Sequence, residues 1–132
     1  MILENVKEVF LKQGQVFLST VEGDMPHVRP MDKFVEIDGK IAFCTKKGKA
    51  MFNQLAANGN VEAVTMFEGK TIRLSGHVNL DDSAEMKAKY LEIQPTTANH
   101  YGGGEETMAV YVFDKATLTV GFRGQKEETV LY

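Results

Sequence analysis

Residues 15–44 read QVFLSTVEGDMPHVRPMDKFVEIDGKIAFC, and the alternation of strand formers with short turn signals in this stretch decides the fold. Gln15 to Val21 and Met25 to Ile37 are rich in β-formers, and Glu22-Gly23-Asp24 between them suits a hairpin. Asp38-Gly39 is a strong two-residue turn signal that leads into a third run, Lys40 to Cys44. Three antiparallel strands are therefore expected before Thr45. Pro30 does not suit an ordinary ladder, because it has no N–H to donate, so it marks a break or an edge in the second strand beside Arg29. A break would leave backbone groups for a flat polar ring to bond; an edge guarded by proline is the plainer alternative.

On the N-terminal side, Ile2, Val6, Val9 and Phe10 recur at helical spacing and Gly14 follows as a stop. On the C-terminal side, Met51, Leu55 and Ala56 fit one face of a helix from Lys47 to Ala57, with Asn58-Gly59 as a left-handed stop. Val61 to Phe67 and Thr71 to Leu80 flank Glu68-Gly69-Lys70, and the second run is the clearest strand in the chain: Ile72, Leu74, Val78 and Leu80 alternate with polar residues. Asp82, Ser83 and Glu85 resemble a capping box that opens a helix to about Ile93. Gln94 to Glu106, with three consecutive glycines, is expected to be a mobile loop. Two last strands, about Thr107 to Phe113 and Thr117 to Phe122, precede a polar tail. About seven strands with hairpin-length links favour one domain over residues 1–132, mainly β with helices, built as an antiparallel barrel rather than a parallel doubly wound sheet.

Composition narrows the function classes. A chain of 132 residues, 43% hydrophobic, can bury a real core, and a formal net charge of -3 argues against general attraction to nucleic acid or to an anionic membrane. With Cys44 as the single cysteine no intramolecular disulfide can form, and no Cys/His pair at ligand spacing supports a metal. Nothing resembles a signal peptide or a long apolar span, so the cytosol is the expected compartment.

Against this acidic balance, Lys46, Lys47 and Lys49 load positive charge onto the expected first turn of a helix. Unpaired N–H groups and the macrodipole already make that end positive, so each cation there is unfavourable by roughly 0.3–1 kcal/mol unless an anion is near. A phosphate would satisfy lysines and N–H groups together. If the second and third strands pair through Asp38-Gly39, Arg29 joins the lysines once a bulge or twist closes the register gap to Thr45. Arg29 would then fork to phosphate oxygens, Thr45 would offer a hydroxyl, and Lys46 and Lys49 would supply point charges. An ordinary solvated basic turn fits the same residues.

Taken in order, QVFLSTVEGDMPHVRPM, DGKIAFCTKKGKAMFNQLAANGNVEAV and TIRLSGHVNL resemble the FMN-binding split-barrel proteins related to pyridoxamine 5′-phosphate oxidase. The likeness is greatest to small members of general-stress and nitroimidazole-resistance type. It implies an antiparallel split β-barrel that binds FMN at a homodimer interface. Arg29 matches the second-strand arginine on the FMN phosphate, and the backbone of Val28, Arg29, Pro30 and Met31 matches the segment along the isoalloxazine ring. Phe43, Cys44 and Thr45 match the end of the third strand in the same pocket, and Lys46 and Lys49 match basic residues that hold the phosphate. Lys47 has no such assignment. Thr71 matches a position where full-length oxidases carry a glutamine that reaches the flavin of the other subunit.

Other departures bear on substrate. In those oxidases a lysine lies further along the second strand, and Lys33 is out of register with it; they also use a C-terminal arginine and histidine on the substrate, whereas Arg123 here is followed by no histidine. These departures argue against pyridoxamine phosphate as substrate. The resemblance implies an oxidoreductase that passes hydride or electrons from a reduced donor, such as a nicotinamide, to a small acceptor, with no side chain identified as catalytic. The alternative is a protein that binds or senses a flavin, a deazaflavin or haem without turnover. No histidine partner for Cys44 is identifiable from the sequence, so it reads as a small strand residue, while His100 and Tyr101 beside Gly102 to Gly104 could border a substrate pocket.

Overall fold

Alternating apolar and polar residues let most of the chain join antiparallel ladders that bury one face. The computed structural model describes residues 1–100 and 104–132. Within them one sheet contains β1 (Gln15–Glu22), β2 (Met25–Asp32), β3 (Val35–Ile37), β4 (Lys40–Lys46), β5 (Asn60–Phe67), β6 (Lys70–Asp81), β7 (Met108–Phe122) and β8 (Gln125–Val130). Three α-helices interrupt it: α1 (Val6–Lys12), α2 (Ala50–Ala57) and α3 (Ala84–Ile93). The hydrogen-bonded order is β2-β1-β5-β6-β7-β4-β3, with β8 added to β7. The sheet curls around Val16, Leu18, Ile72, Leu74 and Leu118, all fully buried, as an antiparallel split barrel.

Several boundaries differ from expectation, each for a local reason. The second run does not continue to Ile37. It stops at Asp32, and Phe34 turns into the core, 1% exposed and stacked on Phe43 with ring centroids 5.1 Å apart. The gain from burying that ring outweighs continuation of the ladder. In consequence β2 pairs with β1 alone, from Gln15↔Asp32 to Glu22↔Met25, and the expected pairing of the second strand with Lys40–Cys44 is replaced by the short β3. The two strands expected near the C-terminus are one, β7, because a register shift between His77 and Val78 absorbs the extra residue at Asp114. The polar tail forms β8 and makes eight strands of the expected seven.

Helix ends follow the same logic. Ser83 accepts a hydrogen bond from the Met86 N–H at 3.1 Å, so the capping signal placed the start of α3 well. Asn58, in contrast, ends α2 with extended backbone at φ -151° rather than a left-handed turn. Gly59 serves close approach: a Cβ there would lie 2.5 Å from the Val78 carbonyl oxygen and 2.8 Å from His77 Nε2. The segment expected to lack regular structure carries two 3₁₀ turns, Pro95–His100 and Glu105–Thr107.

Candidate functional site: a cleft between two open strand edges

Two strand edges are left open by this topology. Antiparallel neighbours bond through alternate residues, and proline cannot donate, so Pro26 and Pro30 occupy the non-bonded positions of the β1–β2 ladder. By the same alternation the backbone groups of Val28 and Asp32 also point to the open side of β2. On β4, β3 covers only Lys40 to Ala42, whereas β7 pairs with Ala42 to Lys46 on the other side. Among the described residues no strand pairs with Phe43, Thr45 or Lys46 on the side away from β7. A cleft of about 330 Å³ is lined by the end of β2 (Pro30, Met31, Asp32), the end of β4 (Phe43, Cys44, Thr45, Lys46) and Lys49. Backbone donors and acceptors at a strand edge next to a cleft suit a flat ligand with polar edges.

Of the ten residues indicated by the sequence, the structure brings Pro30, Met31, Phe43, Cys44, Thr45, Lys46 and Lys49 to this cleft. Phe43 and Thr45 face the barrel interior, and Phe43 stacks between Phe34 and Tyr111. Cys44, on the opposite face, packs with Tyr90 of α3. The Val28 side chain points outward at 68% exposure, leaving only its backbone toward the open edge. Thr71 sits on β6, its hydroxyl 3.4 Å from Met66 Sδ, and does not line the cleft. Arg29 turns inward: Nη1 donates to the Leu18 carbonyl at 3.2 Å and to Thr20 Oγ1 at 2.8 Å, and Nη2 donates to Gln54 Oε1 at 2.9 Å.

The lysines do not occupy the first turn of a helix, as the sequence suggested. Lys46 ends β4 and Lys49 is the N-cap of α2, because the segment between them forms a turn in which the Lys49 N–H bonds the Lys46 carbonyl at 3.1 Å. The electrostatic oddity survives this shift. No side chain caps α2, and its first turn holds no acidic residue. Lys47 is drawn away, 2.9 Å from Asp82, which Lys87 also approaches at 2.9 Å. Hydrogen bonds from these two lysines hold the Asp82 carboxyl below the usual carboxylate range. Among the described residues neither Lys46 nor Lys49 has an acidic partner, and burial pushes the Arg29 guanidinium pKa down with no carboxylate beside it.

The sequence reading missed most of the opposite wall, formed by Gln15, Tyr90, Gln94 and Thr97. Burial pushes the Tyr90 hydroxyl pKa upward, with Cys44 and Asp32 adding to the effect, so it stays a proton donor near neutral pH. Among the described residues Gln94 Oε1 is buried without a hydrogen-bond partner. The four-residue spacing of Tyr90 and Gln94 was a usable signal, but the glycines downstream had marked Gln94 as the start of a loop. His100 does border the cleft, its Nε2 3.8 Å from Asp32 Oδ2, while Tyr101 lies outside the described residues. Among the described residues no cluster of His, Cys, Asp or Glu could hold a metal, and no helix is long and apolar enough to cross a membrane.

Comparison with known proteins accounts for this architecture. A family model described as pyridoxamine 5′-phosphate oxidase matches residues 2–115. The chain belongs to the pyridoxamine 5′-phosphate oxidase family. This family member is similar to a NimC/NimA family protein from Clostridium acetobutylicum, at 34% identity and TM-score 0.82, with 97% of this chain and 96% of that one covered. Two further structures share the fold at low identity. One is a pyridoxamine 5′-phosphate oxidase-related, FMN-binding protein from Nostoc punctiforme, at 15% identity and TM-score 0.62, with 89% and 86% covered. The other is a heme-binding protein from Mycobacterium smegmatis, at 15% identity and TM-score 0.74, where 97% of this chain covers 57% of that one. No curated protein matches the chain significantly.

Proposed function

We propose that this family member is an FMN-binding oxidoreductase that passes hydride or electrons from a reduced donor to a small acceptor. The observation that carries the reading is a cleft between two open strand edges with uncompensated cations at one wall: Lys46, Lys49 and the uncapped start of α2. That donor set fits a phosphate, and the edges fit a flat heterocycle. FMN, when bound, supplies the redox chemistry. The chain's own residues bind and orient it. Lys46 and Lys49 neutralise the phosphate, Arg29 adds its fork from within, and Thr45 offers a hydroxyl. Backbone groups of Val28, Pro30 and Phe43 to Lys46 bond the polar rim of the ring, while Met31 and Phe43 exclude water from one side.

A homodimer belongs to this reading. Phe17, Val28 and Met66, on neighbouring strands, are 42%, 68% and 58% exposed, and such apolar exposure supports burial against a second copy. Thr71 pairs with Met66 across β5 and β6 and so shares that face, which supports a contact to the partner's flavin. A silent flavin or deazaflavin binder would use the same contacts, and the heme-binding neighbour makes haem the competing occupant. The absorbance spectrum of the isolated protein tests the assignment: flavin maxima are expected, a Soret band replaces FMN by haem, and a protein left colourless after incubation with FMN and desalting refutes the site. Anaerobic mixing with reduced nicotinamides, read as flavin bleaching, separates turnover from silent binding.

A further inference from the structure

Thr20 and Gln54 are polar residues deep inside the barrel, 0% and 5% exposed, and both face Arg29. The Thr20 hydroxyl donates to Gln54 Oε1, and the same oxygen accepts from Arg29 Nη2 at 2.9 Å. Thr20 Oγ1 and the Leu18 carbonyl take Nη1 at 2.8 and 3.2 Å. The guanidinium is thus fixed by three acceptors, none of them charged. A cation partly withdrawn from water gains from a carboxylate partner, and a Glu at position 54 could supply one. An amide provides the same acceptor geometry while leaving the charge uncancelled.

The location adds to this. Gln54 lies just over one helical turn, about 6 Å along the axis, from the start of α2 at Ala50, which carries Lys49 as its N-cap. We infer that Gln54 is a positioning residue: it aims Arg29 at the phosphate of the bound flavin through a neutral acceptor that keeps the cation available to the ligand. The inference rests on the FMN reading. It also implies that the ligand-free protein holds a partly buried, uncompensated charge that the phosphate relieves. Protein stability and phosphate selectivity should then respond to a carboxylate at position 54 with opposite signs.

The test compares wild type, Gln54→Glu and Gln54→Leu, each stripped of flavin and titrated with FMN and with riboflavin. The FMN-to-riboflavin affinity ratio within each variant cancels general damage to the fold. Gln54→Glu is expected to raise the melting temperature of the ligand-free protein and to lower the ratio by about tenfold or more, the loss of a charge-assisted contact. Gln54→Leu is expected to lower the ratio without the gain in melting temperature. A wild-type ratio in Gln54→Glu would overturn the positioning role while leaving the FMN site intact, and a wild type that binds neither flavin would overturn both.

Discussion

Removing Arg29 and removing the two lysines should affect ligand binding very differently, although all three are assigned to one phosphate. Arg29 is half-buried and held by three hydrogen bonds, so its contact to an anion is pre-organised and poorly screened. A charge-assisted bond in such a setting contributes about 1.5–3 kcal/mol, or roughly 10–150-fold in affinity. Lys46 and Lys49 are solvent-exposed, and each should contribute about 0.3–1 kcal/mol, roughly 2–5-fold. Arg29→Ala need not unfold the protein, because the Thr20 hydroxyl still satisfies Gln54 Oε1. Quenching of flavin fluorescence gives the affinities of Arg29→Ala, Lys46→Ala and Lys49→Ala for FMN and for riboflavin. Arg29→Ala should cost FMN at least about twofold more than either lysine change and leave riboflavin close to wild type. Added salt should erode the lysine effects first. Equal losses for the two flavins would refute the phosphate assignment, and lysine effects larger than that of Arg29 would refute the reasoning from burial.

Three further outcomes are expected. Gly59→Ala should lower the melting temperature by several degrees, because its Cβ would press on the Val78 carbonyl and the His77 ring, and a calorimetric scan checks it. Asp82 has a depressed pKa, so its contribution to stability is present above the carboxylate range and is lost as pH falls through the folded-state value; Asp82→Asn should be less stable than wild type at pH 7, with the difference starting to shrink near about pH 4 and disappearing only below the folded-state value in denaturant titrations. Val28→Lys places a charge on the exposed apolar face and should convert the proposed dimer to a monomer in sedimentation velocity; an unchanged mass would count against that interface.

Where local physics and tertiary packing agree, the chain could be read directly. Thr71 to Leu80 alternates cleanly and is β6, and Ser83 caps α3 as its hydroxyl suggests. The reading went astray where a distant contact overrides a local preference. Nothing near Phe34 announces that its ring will leave the strand for Phe43, yet that turn separates β2 from β3 and opens the cleft. The hydrophobic period around Asp114 breaks because of a bulge, which looks the same in sequence as a loop between two strands. Pro30 was legible as an anomaly, but only the ladder register shows that its edge faces the cleft. Gln54 was hidden for a related reason: within its helix it is an ordinary helix former, and its significance lies in Thr20 and Arg29, on strands β1 and β2.

The open edges of β2 and β4 also bear on how the chain behaves before anything is bound. An unpaired strand edge is a template for joining another chain, and proteins usually blunt it. Pro26 and Pro30 do so on β2 by removing two N–H donors, but Phe43 to Lys46 carry no proline. A flat occupant between the edges would stand in for the missing strand and shield that backbone. Supply of the occupant during synthesis then becomes a quality-control variable. Chains made in its absence should partition more readily into aggregates than loaded ones, so the soluble yield would report on the ligand as directly as a binding curve.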